Sequence, residues 1–176
     1  MVTDTSTEEW LARVQEDILE PDLPIIDPHH HLWIRDDGPY LFPEFLTDVY
    51  SGHNIESTVF AECHSMYRAQ GPEAYRRVGE VEFVAGVSAM SDSGDFGATR
   101  VCRVLFGGSD LTLGHEIEPV LEAQIAASGG RFRGVRYSTG WDRSEKIRNV
   151  APNESMLREP RVREALSVLA RMSLSF

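Results

Sequence analysis

Four short apolar runs recur along this chain, and each ends in polar residues before giving way to a helix-like stretch. They are Leu23 to Asp27, Ser57 to Ala61, Val101 to Phe106 and Arg131 to Tyr137. The first is apolar on both faces, the signature of a strand buried in a parallel sheet. The stretches that follow, 44–50, 72–90, 116–127 and 160–172, read as helices. In the third, Ile117, Val120, Leu121 and Ile125 line one face and Gly129-Gly130 ends it. The valines within 82–87 would also suit a strand. Strict alternation of β and α implies a parallel sheet with right-handed crossovers.

Ahead of the first strand, Thr7 can cap a helix running to about Leu19, with Trp10, Leu11, Val14, Ile18 and Leu19 on one face. Residues 1–22 thus form a helical extension of one domain spanning 1–176. Leu174-Ser175-Phe176 resembles the start of a fifth strand. Polar residues gather at strand C-terminal ends, where parallel α/β folds place their chemistry. The expectation is α/β: a partial (β/α)8 TIM barrel of about four β-α units plus the N-terminal helix, truncated at strand five, since a closed barrel takes roughly 250 residues. Its open edge would drive oligomerisation or aggregation.

Composition removes several classes. The formal net charge of −11 argues against nucleic acid or an anionic membrane as partner. Cys63 and Cys102 are far apart and form no C-x-x-C pair, so free thiols in a reducing cytoplasm are expected. No apolar run approaches membrane-spanning length, and the first twenty residues lack the apolar core of a signal peptide.

The chemistry concentrates in Ile25-Ile26-Asp27-Pro28-His29-His30-His31. In extended backbone, alternate residues share a side, so His29 and His31 converge while His30 turns away to pack. Neutral imidazoles suit Zn²⁺ and neighbouring divalent metals, and a bound ion would polarise a carbonyl oxygen. The alternative is a histidine-rich loop that binds nothing. Asp27 either supports a ligand histidine or caps the turn. Trp33 lies in a long loop, 32–43, and either walls a pocket or packs that loop. Glu62 and His64 end the second strand and face a pocket or form a polar rim. Arg136 ends the fourth and either clamps a substrate carboxylate or pairs with an acid.

These stretches resemble the amidohydrolase-related family of TIM-barrel metal-dependent hydrolases, in particular its dicarboxylate lactonase-like branch. The resemblance rests on Ile26-Asp27-Pro28-His29-His30-His31-Leu32-Trp33, Thr58-Val59-Phe60-Ala61-Glu62-Cys63, Gly108-Ser109-Asp110-Leu111, Arg131-Phe132-Arg133-Gly134-Val135-Arg136 and the final Leu174-Ser175-Phe176. It implies that His29 and His31 hold a divalent metal, with further ligands from later strands that this chain lacks. Some members of the group work without metal. The function expected is hydrolysis of a C–O or C–N bond in a small anionic substrate, most naturally a carboxylated lactone. His29, His31 and Glu62 would be the catalytic groups, and Arg136, His64 and Trp33 would hold the substrate. The alternatives are a half-barrel inactive without a partner, and a metal-dependent decarboxylase.

Overall fold

The structure, a computed structural model, describes residues 9–10, 12–14, 16–36 and 38–176. Thr7 and Leu11 of the predicted first helix lie outside the described residues. Glu9 and Trp10 are helical, but Ala12 and Arg13 form a turn and Glu16 to Ile18 are irregular. The helix expected to reach Leu19 does not form there: Trp10, Val14 and Leu19 are exposed, and Ile18 of that face is half-buried over Gly52, too little packing to hold a helix.

Strand β1 (Ile25–His30) is followed by an antiparallel hairpin of β2 (Trp33–Arg35) and β3 (Gly38–Tyr40), so the predicted loop carries structure of its own. Helix α1 (Phe42–Val49) begins with Pro43 in its first turn, and Glu44 Oε2 accepts the Leu41 amide at 2.9 Å. Then come β4 (Ile55–Ala61), the short α2 (Glu73–Arg76), α3 (Val78–Asp92) and β5 (Arg100–Gly108). A 3₁₀ segment, Leu111–Ile117, leads into α4 (Glu118–Ala127) and β6 (Phe132–Arg136); a second, Met156–Arg158, precedes α5 (Pro160–Arg171). The valines of 82–87 lie in helix. Packing overrides their β preference, because Val81, Val84 and Val87 sit on the buried face.

The sheet is parallel throughout, in the order β1-β4-β5-β6. Phe60, Val101, Leu105 and Phe132 from the strands join the α3 valines and Leu121 of α4 in one core. Burying each such side chain contributes about 1.5–3 kcal/mol. The opposite sheet face stays open: Ile26 is 63% exposed and Phe176 54%.

These elements do not build a partial TIM barrel. The protein is a small α/β domain whose four parallel strands form an open sheet. Beyond β6 there is only an isolated bridge, Gly134 to Ser175, in place of a fifth strand. Alternating β and α dictates parallel neighbours but not closure, and closing a sheet on itself takes about eight strands. Among the described residues, no helix is long and apolar enough to cross a membrane.

Candidate functional site

The site begins where β1 leaves its ladder. Asp27 pairs with Thr58 and His30 with Phe60, so β1 carries one extra residue between the two pairs. Pro28 has no amide to give the ladder, and Asp27 Oδ1 accepts the His29 amide at 3.0 Å. Asp27 therefore caps the turn. Past this bulge, His30 turns to the core and its neighbours turn the other way.

His29 Nε2 and His31 Nε2 lie 3.1 Å apart, as the alternation predicts. His31 Nδ1 lies 2.8 Å from the Ala61 carbonyl, which can only accept. The proton of His31 is therefore on Nδ1, and its Nε2 lone pair faces His29. Burial lowers the pKa of His31, against the opposing pull of the Ala61 carbonyl. Trp33 stacks on the His31 ring, with the Arg35 guanidinium 3.5 Å from the indole centroid. Trp33 thus braces a histidine.

His30 is locked from below. It stacks on Phe45 with centroids 4.0 Å apart, and its Nε2 is 2.9 Å from Thr58 Oγ1. Thr58 Oγ1 also accepts the Cys102 amide at 2.9 Å, which ties the His30 contact to β5. Cys102 has φ 54° inside β5, and the Thr58 hydroxyl supplies the acceptor that this kink removes from the ladder. Burial pushes the His30 pKa down to about 4, which keeps the ring neutral.

At the end of β4, Glu62 is 2% exposed and its Oε2 is buried with no hydrogen-bond partner. His64 Nε2 stands 3.7 Å from that oxygen, beyond hydrogen-bond reach. Arg136 Nη1 donates to the Glu62 carbonyl at 2.7 Å and lies 3.9 Å from Glu62 Oε1. A cavity of about 320 Å³ opens here, lined by Glu62, His64, Arg77, Arg136, Tyr137 and Arg148 among others. A second cavity, of about 410 Å³, includes His29, Ala61, Phe106, Arg136 and Tyr137. Arg136 and Tyr137 thus stand between the histidine pair and the arginine-lined pocket.

Glu80 holds this strand end and escapes sequence reasoning. Its side chain is buried, and Oε1 accepts the amides of Cys63 at 3.0 Å and Ser65 at 2.9 Å, with Cys63 Sγ at 3.6 Å. Burial raises its pKa to about 7 against those two amide bonds. The clamped turn is strained: His64 has φ 63° and Met66 φ 54°. Gly79 makes room for it, since a Cβ there would meet Arg68 N and Met66 O at 2.6 Å each. The signal for Glu80 was its spacing, for Glu80, Val84, Val87 and Ser91 share the buried stripe of α3.

The histidine pair fits two ligands of a divalent transition metal: both nitrogens converge, and the second nitrogen of His31 holds a carbonyl, the usual partner of a ligand histidine. Among the described residues, no group of three or more His, Cys, Asp or Glu could hold an ion. Two positions of a tetrahedral ion would then fall to water or substrate. Comparison of the chain with protein-family models, with the curated proteins and with the solved structures finds no match.

Proposed function

We propose that this domain serves hydrolysis of a C–O or C–N bond in a small carboxylated substrate, a lactone being the best fit. The observation that carries this reading is the meeting of His29 Nε2 and His31 Nε2 at 3.1 Å, with His31 fixed by the Ala61 carbonyl. Two nitrogens aimed at one point, with His29 and Arg136 lining one cavity, suit a carbonyl in a substrate that also carries a carboxylate. The likeness of Ile26 to Trp33 to the amidohydrolase-related motif points the same way, without the barrel.

A divalent metal, zinc being the natural choice, would be held by His29 and His31 and would polarise the carbonyl and acidify a water. The protein's own groups do the rest. Arg136 offers a fork of donors to the substrate carboxylate and is itself oriented by the Glu62 carbonyl. Glu62 has a free, buried oxygen on the pocket that can take a proton from water or hydroxyl. Trp33 and the Ala61 carbonyl keep His31 from rotating.

A second reading has support of its own. The cavity beside His29 opens onto a sheet face where Phe176 is half exposed, so water enters freely. That favours a domain that binds its ligand but needs a partner to cover the site before turnover. The deciding experiment is a hydrolysis assay on paired lactones with and without a carboxylate. Turnover of the carboxylated member, lost in His29→Ala/His31→Ala, supports the enzyme. Ligand binding without turnover by the wild type supports the second reading.

A further inference from the structure

The arginine-lined pocket has unspent donors and one unspent acceptor. The side chains of Arg77 and Arg148 make no ion pair or hydrogen bond among the described residues; the Arg77 guanidinium lies 5.8 Å from the centroid of the Tyr67 ring. Arg77 Nη1 and Glu62 Oε2 both lie against Gly108, each 3.2 Å from where a Cβ would stand. Glycine there leaves room for the Glu62 oxygen, which is buried, unpartnered and on the cavity wall. A buried carboxyl oxygen without a donor costs stability unless a ligand supplies one. Free guanidiniums ask for an oxyanion, and Glu62 asks for a proton donor beside it.

We infer that this pocket binds a small hydroxy acid: the carboxylate goes to Arg136, Arg77 and Arg148, and the hydroxyl donates to Glu62 Oε2. A plain carboxylate fills only the arginines and leaves Glu62 Oε2 with His64 at 3.7 Å and no hydrogen-bond donor. The cavity of about 320 Å³ has room for an acid of four to six carbons, in rough terms. The inference rests on the carboxylate role given to Arg136 above, and it names the ligand more closely. Hydrolysis of a lactone places OH from water on the acyl carbon and H on the ring oxygen, so its product is a hydroxy acid. The pocket then holds the product, with the new hydroxyl on Glu62.

The test needs neither metal nor turnover. Malate and succinate have the same length and charge and differ by one hydroxyl. Their binding to the full chain is measured by calorimetry at pH 7.5 with EDTA present. Malate is expected to bind at least about tenfold tighter, because a site built around a hydroxyl rejects the analogue lacking it. Arg148→Ala, a change on an exposed loop, should weaken both acids by a similar factor. Glu62→Leu should bring malate down to the level of succinate. Should that buried variant fail to fold, the wild-type pair and Arg148→Ala still decide. Equal affinity for the two acids, or binding of neither, overturns the inference. Malate preference in a chain that hydrolyses no lactone leaves the binding site standing and removes only the hydrolase.

Discussion

Glu80 Oε1 accepts the backbone amide of Ser65 at 2.9 Å, and through it helix α3 grips the turn that carries Glu62 and His64. The β4 end that brings Glu62 and His64 to the pocket is therefore aimed by a carboxyl group from the helix beneath it.

Glu80 makes stability depend on pH. Its pKa of about 7 in the folded chain stands above its ordinary value of 4.5, so the folded state binds the extra proton between those limits. Unfolding free energy should fall as pH rises from about 4.5 to 7, by roughly 3 kcal/mol, and level off above. Glu80→Gln keeps an acceptor for Cys63 and Ser65 and cannot titrate. Urea denaturation across that range should show the slope in the wild type and a flatter line in Glu80→Gln.

Gly79→Ala sets two effects against each other. In an open helix the change would stabilise by about 1 kcal/mol. Here the new Cβ would lie 2.6 Å from backbone atoms of Met66 and Arg68, which cannot swing aside as a flexible side chain would. Overpacking of this kind costs about 1–3 kcal/mol, so the clash wins. The variant should melt several degrees lower, and its pocket turn should exchange amide protons faster.

Gly134→Ala should release the C-terminal residues. A Cβ at Gly134 would lie 2.3 Å from the Ser175 carbonyl and 2.8 Å from the Phe106 ring. The bonds Val135 N to Ser175 O and Ser175 N to Arg133 O, both 2.9 Å, should break. Hydrogen exchange at Val135 and Ser175 should accelerate while β4 keeps its protection.

Much of the fold was legible because local chemistry repeats. The apolar runs placed all four parallel strands, and Gly129-Gly130 after the Ile117, Val120, Leu121 pattern placed the end of α4. Closure was not legible, since β-α alternation describes neighbours and says nothing of strand number. The hairpin of Trp33 to Tyr40 hid in an aromatic loop, where Gly38 at φ 121° opens β3 opposite Arg35. At the site, His29 and His31 could be read from a spacing of two, because a strand projects alternate residues together. Arg77 and Arg148 could not be placed, since they reach the pocket from segments far apart in sequence, and neither could Glu80, which acts from behind it on the Cys63 and Ser65 amides. Trp33 was legible as a site neighbour but not as a brace for His31.

Removing one imidazole should be felt at the other. His31→Ala leaves His29 exposed and without its partner at 3.1 Å, and should weaken zinc binding at least roughly 100-fold, more than the loss of an outer-shell partner. His30→Asn should disturb zinc far less, since His30 faces Phe45 and Thr58. Calorimetric zinc titration of the three chains makes the comparison.

The most direct test of the histidine pair is a nitrogen-15 spectrum of its imidazole rings at pH 7.5, with and without zinc. The geometry predicts His31 protonated on Nδ1, and on adding zinc a shift of the Nε2 signals of His29 and His31 together, with His30 unmoved. A His31 ring protonated on Nε2, with no signal moved by zinc, would contradict the account.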